Sequence, residues 1–280
     1  MGIKFNNVNY AYPTIGTSKY ALIDVDLNID AHHEFVAVVG HTGSGKSTMI
    51  QHMNALLTPS GGEIDVFGIK LSSAEKLTPI RKRVGMVFQF PEYQLFEETV
   101  ERDIMFGPTN FGMSAEDAKA KAAEVMEMVG LEKELLDKSP FNLSGGQMRR
   151  VAIAGILSME PDILILDEPT VGLDPQGQKE MMDLFTSIYE KTNQTIILVT
   201  HDMNVVSEYC NRVIVMKKGR KVFDDAPREL FSQSNLLEEF NLDAPQYMKI
   251  MKKLNEKLGL ELNETVLSLD EIVAELKRIG

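Results

Sequence analysis

Short apolar runs rich in β-branched residues alternate along this chain with longer amphipathic stretches. Phe35-Val36-Ala37-Val38-Val39 is apolar throughout, the pattern of a buried strand. Ile163-Leu164-Ile165-Leu166 and Thr195-Ile196-Ile197-Leu198-Val199 repeat it, and Glu63 to Ile69 and Val84 to Phe88 read as further strands. The spacing predicts a helix over Lys46–Leu57, stopped by Thr58-Pro59-Ser60-Gly61-Gly62. An Ala/Glu/Lys/Met-rich helix is expected over Ala115–Val129, closed by Gly130. Others are expected from near Ser144 to about Met159 and over Gln178–Lys191. Strands alternating with helices predict a parallel sheet with ligand groups at the C-terminal ends of its strands. After Pro227 the pattern changes to short amphipathic helices, Arg228–Phe231, Pro245–Lys257 and Leu269–Ile279. The expected division is a main domain over 1–226, with a helical part over about 95–160, and a small helical tail over 227–280.

Composition narrows the class. With 280 residues, the chain buries a sizeable core without staples, and its one cysteine, Cys210, excludes an intrachain disulfide framework. The net charge of −12 and the lack of a dense basic run beyond Arg81-Lys82-Arg83 speak against nucleic acid as a partner. They also speak against direct adhesion to anionic lipid. The longest dense apolar stretch, Val151 to Met159, falls far short of the ~20 residues of a spanning helix, so no direct membrane insertion is expected. If this chain works at a membrane, another protein must hold it there.

The chemistry begins at Gly40-His41-Thr42-Gly43-Ser44-Gly45-Lys46-Ser47, which fits G-x-x-x-x-G-K-[ST] and is followed by Thr48. Glycines let backbone N–H groups converge on phosphate oxygens, and the helix opening at Lys46 points its positive end at the same anions. Lys46 adds a point charge between terminal phosphates, and Ser47 offers a hydroxyl to Mg²⁺. A nucleotide's phosphates and Mg²⁺ are thus the expected ligands. The strand ending Leu166-Asp167-Glu168 adds two acids. Asp167 suits Mg²⁺, and Glu168 is the candidate base for an attacking water. In Leu143-Ser144-Gly145-Gly146-Gln147, Ser144 caps a helix start and Gly145-Gly146 bare its N–H groups. That is a second anion site. One nucleotide needs one cradle, so the second should serve a nucleotide held by another subunit.

Over roughly residues 3–225 these motifs resemble ABC-type ATPases. The resemblance implies an α/β P-loop NTPase fold, the ABC-type nucleotide-binding domain, with an antiparallel β subdomain, a helical signature subdomain and here a small C-terminal helical extension. In that family two subunits pair head to tail, each ATP lying between one cradle and the other subunit's signature. By the same resemblance Gln89 is the Q-loop glutamine, touching Mg²⁺ or the water, and Asp174 in Gly172-Leu173-Asp174 lies at the dimer seam. His201 is the switch histidine at the γ-phosphate. Tyr12 is the adenine-stacking aromatic, with Tyr10 as its competitor.

The run Gln89-Phe90-Pro91-Glu92-Tyr93-Gln94-Leu95-Phe96-Glu97-Glu98-Thr99-Val100, with Phe106-Gly107-Pro108, resembles the ATPases of energy-coupling factor (ECF) transporters. His41-Thr42-Gly43 and the stretch Gly146 to Gly155 resemble the second of that family's two ATPase types, although Asp202-Met203-Asn204 departs from it. The tail, with Phe240-Asn241-Leu242-Asp243-Ala244-Pro245, resembles the family's C-terminal extension. The resemblance implies import of vitamins or transition-metal ions and a peripheral location on the cytoplasmic face of the membrane. The implied partners are a second ABC ATPase in a heterodimer, a transmembrane coupling subunit and small substrate-binding membrane proteins. Glu92, Glu97 and Glu98 are candidates to meet basic residues of the coupling subunit, or else ordinary surface acids. The alternatives are the ATPase of a dedicated permease and a soluble ABC ATPase acting on ribosomes or DNA.

Overall fold

The computed structural model describes residues 2–13, 19–73 and 76–279. Two long strands come first, β1 (Gly2–Ala11) and β2 (Tyr20–Asp30). β3 (Phe35–Val39) runs through a glycine loop into α1 (Lys46–Met53), and β4 (Gly61–Val66), β5 (Ile69–Lys70), α2 (Thr78–Arg83) and β6 (Val84–Val87) follow. The helical region holds α3 (Val100–Asn110), α4 (Ala115–Met128) and α5 (Gly145–Leu157). Alternation resumes with β7 (Ile163–Asp167), α6 (Pro175–Lys191), β8 (Thr195–Val199) and α7 (Met203–Tyr209), then a hairpin of β9 (Arg212–Lys217) and β10 (Arg220–Asp225). The tail carries α8 (Pro227–Phe231), α9 (Ser234–Phe240), α10 (Gln246–Leu258) and α11 (Leu269–Ile279).

The strands form two sheets. An antiparallel sheet has the order β2-β1-β4-β5, and a second has the order β10-β9-β3-β8-β7-β6, parallel from β9 to β6. The apolar runs of β3, β7 and β8 are buried on both faces, and successive side chains serve different cores because a strand alternates its faces. Ile163 and Ile165 of β7 pack toward the antiparallel sheet and α1, whereas Leu164 and Leu166 pack toward α3–α6. Ala37 and Val39 of β3, with Val213 and Val215 of β9, face α7–α9, which roots the tail on the sheet. The last two helices close a small core of their own around Met251, Leu262, Val266 and Ile272. No helix among the described residues is long and apolar enough to cross a membrane.

Three predicted elements change by more than two residues. α1 stops at Met53 rather than Leu57, because Ala55 takes a positive φ of 56° and Asn54 donates its amide to the Val84 carbonyl. The strand expected over Glu63–Ile69 is a hairpin. Phe67 and Gly68 both have positive φ, as a two-residue turn between twisted strands requires, and Asp65 Oδ1 accepts from Gly68 N at 2.7 Å. α6 begins at Pro175 rather than Gln178, since Asp174 caps it and proline suits the first helical position.

Candidate functional site

The C-terminal ends of β3 and β7 and the loop after β8 bring three of the predicted catalytic groups, Lys46, Glu168 and His201, to one place. Gly40, His41, Thr42 and Lys46 line a cavity of about 520 Å³ together with Glu168 and His201. Two glycines there are dictated by packing and backbone: Gly40 has φ 141° and a Cβ on it would lie 2.2 Å from the Met216 carbonyl oxygen. Gly45 has φ 107°, and a Cβ there would lie 2.6 Å from the Ala21 carbonyl oxygen. Gly45 caps α1 without a side-chain acceptor, so the first N–H groups of α1 have no side-chain cap. The hydroxyl of Ser44 is buried and has no partner among the described residues. Gly43, Ser47 and Thr48 complete the loop and the first turn.

Lys46 Nζ donates to the Gly40 carbonyl at 2.7 Å and to that of His41 at 3.3 Å. Burial pulls this ammonium below its ordinary range, with Glu168 and Asp167 pulling the other way. Asp167, at the end of β7, is pushed upward by burial and then by the charge of Glu168, against Lys46. Glu168 sits at φ 47°, a conformation that non-glycine residues rarely adopt, and is held there by its N–H to the Val199 carbonyl at 3.0 Å. Its Oε1 lies 3.6 Å from Nδ1 of the exposed His201. Among the described residues no group of three or more His, Cys, Asp or Glu forms a metal cage.

Other predicted residues lie apart from this cavity. Tyr12 is 42% exposed, its ring edge-on to that of Tyr10 at 5.0 Å, and its hydroxyl shares a hydrogen bond with Thr48 Oγ1 at 3.1 Å. Tyr10 is buried against the ring of His52. Gln89 is exposed in the turn after β6 and does not line the cavity. Ser144 and Gln147 form a reciprocal capping box at the start of α5: Ser144 Oγ accepts from Gln147 N, and Gln147 Oε1 from Ser144 N at 3.0 Å. Among the described residues, a Cβ on Gly145 or Gly146 would meet nothing within 4 Å. Asp174 caps α6, its Oδ1 accepting from Gly177 N at 2.8 Å.

Three features escaped sequence reasoning. The tail corner Asn241-Leu242-Asp243 is a wall of the same cavity. His52 is fully buried under the cradle, its Nδ1 2.7 Å from the Thr48 carbonyl oxygen, and burial keeps its pKa below the ordinary value. Glu92, a candidate either to meet a membrane partner or to be an ordinary surface acid, is instead paired inside the chain with Arg149. Burial pushes its carboxyl up, but the hydrogen bonds and charge of Arg149 outweigh that and hold it below the ordinary range. An arginine on the buried face of α5, in line with Ile153 and Leu157, was the available signal, since such a charge demands a partner. Glu98 forms an exposed pair with Arg102.

Residues 22–171 match the family described as ABC transporter. A curated Bacillus cereus relative, "Energy-coupling factor transporter ATP-binding protein EcfA2", is 48% identical over 283 aligned positions, covering 100% of this chain and 96% of its own length. Its Bacillus subtilis counterpart is 49% identical, covering 93% of this chain and 95% of its own. Among solved structures, cbiO1 from Clostridium perfringens, part of the ABC transporter complex cbiONQ, superposes with a TM-score of 0.75 at 36% identity. That match covers 92% of this chain and 95% of the other. The dimeric ATP-binding cassette MJ0796 bound to ADP and Pi gives 0.71 at 34%, over 80% of this chain and 98% of its own. The chain therefore belongs to the ABC transporter family as an ATPase, among the ATP-binding subunits of energy-coupling factor transporters.

Proposed function

We propose that this chain powers an ECF-type importer by closing with a second ATPase around ATP and reopening after hydrolysis. The observation that carries the reading is the division of the parts. Lys46, Glu168 and His201 line one cavity, while Gly145 and Gly146 offer bare helix N–H groups whose surroundings in this chain are open. Such an edge suits a phosphate held by another subunit.

In this mechanism the cradle N–H groups and Lys46 hold the terminal phosphates, and Tyr12 receives the adenine. Ser47 and Asp167 offer oxygen atoms, the donors that suit Mg²⁺, and would hold it, with Gln89 turning its amide oxygen toward it once the Q-loop turn closes on the cavity. Bound there, Mg²⁺ supplies charge that neutralises the phosphates being split. Glu168 orients the attacking water and accepts its proton, and His201 hydrogen-bonds the γ-phosphate. The partner's signature helix completes the site from the other side, and Asp174 lies at the seam. Residues 1–226 form the motor, and the helices of 227–280 hold the pair together.

A groove of about 310 Å³ between the Q-loop turn and α3 and α5 supports a peripheral place under a transmembrane coupling subunit. Phe96 and Phe106 line it and are 57% and 45% exposed. Small membrane proteins docking on that subunit choose the cargo, vitamins or transition-metal ions. The test is an affinity pull-down of the tagged chain from detergent-solubilised membranes, with partners identified by mass spectrometry. Recovery of a second ABC ATPase, one transmembrane subunit and several small membrane proteins is expected. A single dedicated permease would sink the ECF reading, and ribosomal or DNA-associated partners alone would sink transport itself.

A further inference from the structure

Arg149 is 4% exposed, in the second turn of α5, and five hydrogen bonds leave its guanidinium. Nε and Nη2 grip the two oxygens of Glu92, each at 3.0 Å, in the planar fork that only arginine offers a carboxylate. Nη1 donates to the carbonyls of Pro169 and Val171, and Nη2 also reaches Val171, all at 3.3 Å. The guanidinium carbon lies 5.9 Å from the centre of the Phe90 ring.

These partners belong to three different parts of the site. Glu92 is in the one-turn helix Pro91–Gln94, just after Gln89. Arg149 itself lies five positions after Ser144 on the helix that the signature opens. Pro169 and Val171 are in the turn directly after Glu168, closed by Val171 N to the Glu168 carbonyl at 3.2 Å. Glu168 stands in a left-handed backbone conformation. Such a conformation persists where its surroundings over-determine it, so the turn needs restraint from outside β7.

We propose that Arg149 is a positioning residue for ATP hydrolysis, locking the turn that presents Glu168 to both the Q-loop turn and the signature helix. The carboxylate then moves with those two segments rather than with β7 alone. The inference rests on the role given to Glu168 above. A buried Arg–Glu pair that only stapled α5 to the Q-loop turn would have no need of the two carbonyls beyond Glu168.

The test is hydrogen exchange by mass spectrometry on the full-length chain, with ATPase kinetics alongside, for Arg149→Met, Arg149→Lys and Glu92→Gln. In Arg149→Met, exchange across residues 169–173 should quicken about tenfold while the strands of the parallel sheet keep the parental rate. The rate constant kcat should fall about tenfold or more with KM for ATP within about twofold. Arg149→Lys should rescue neither, because an ammonium cannot hold both carboxylate oxygens and both carbonyls. Glu92→Gln should act in the same direction but less, since its amide oxygen still accepts one N–H. It carries the test if Arg149→Met fails to fold. Parental exchange at 169–173, or exchange rising across the whole sheet with kcat and KM moving together, would overturn the proposal. A parental rate in a parallel Glu168→Gln control would instead defeat the role given to Glu168, and this proposal with it.

Discussion

Two helix starts in this chain carry glycines beside a serine, and they are built for opposite situations. α1 opens behind Gly40–Gly45, where backbone from Met216 and Ala21 crowds Gly40 and Gly45, and Lys46, Asp167 and Glu168 stand close by. α5 opens at Ser144, which its own Gln147 caps, and among the described residues nothing would touch a Cβ on Gly145 or Gly146. The first start is packed by its own chain at Gly40 and Gly45, opens on the cavity, and is equipped with a cation and acids. The second is stable by itself and open at the edge. Gly145 and Gly146 have neither a positive φ nor a close neighbour to require them, which leaves room for an approach from outside. The difference between the two starts is thus the difference between a site and half of one.

The largest effect should come from the equipped half. Glu168→Gln removes the proton acceptor while keeping size and hydrogen bonding, and general-base loss costs about 10²–10⁴-fold in rate. ATP binding should persist, and ATP should leave the variant paired, as measured by light scattering. A parental rate would mean that the cavity lacks the chemistry assigned to it. The next effect probes the open half. Gly145→Val adds a side chain where this chain has room, so Tm should stay within about 2 °C and nucleotide affinity of the single chain should hold. Hydrolysis should fall about tenfold or more, because the added branch blocks close approach of a partner's phosphate. Unchanged hydrolysis would erase the contrast between the two starts.

The central strands were legible because a parallel sheet demands apolar runs without alternation, which Phe35 to Val39 and Thr195 to Val199 display. The long antiparallel pair was harder to read. Ile3 and Phe5 are buried, then Val8 and Tyr10, so the period slips by one where Asn7 takes a positive φ opposite a matching slip at Asp24 of β2. The site shows a similar split. Loops with a fixed local chemistry, such as Gly40–Ser47, announce themselves within eight residues. The grip of Arg149 on Glu92 spans 57 positions, and the wall formed by Asn241-Asp243 comes from the tail. Neither leaves a local pattern, because only the folded chain sets those groups side by side.

The smallest effect asks whether Asp174 belongs to the comparison at all. Its carboxylate caps α6 at 2.8 Å, and that alone accounts for an aspartate before Pro175. Asp174→Ala removes the cap and should cost about 1 kcal/mol, or some 2–4 °C in Tm for a chain of this size. Asp174→Asn keeps a cap of nearly equal strength and should return most of that loss. A residue that only starts α6 would recover hydrolysis together with stability. A residue at the seam between subunits also needs its charge, so the asparagine variant should regain its Tm yet hydrolyse ATP about twofold to fivefold more slowly. Full recovery of both would assign Asp174 to the fold and leave the open edge of α5 as this chain's contribution to the partner's site.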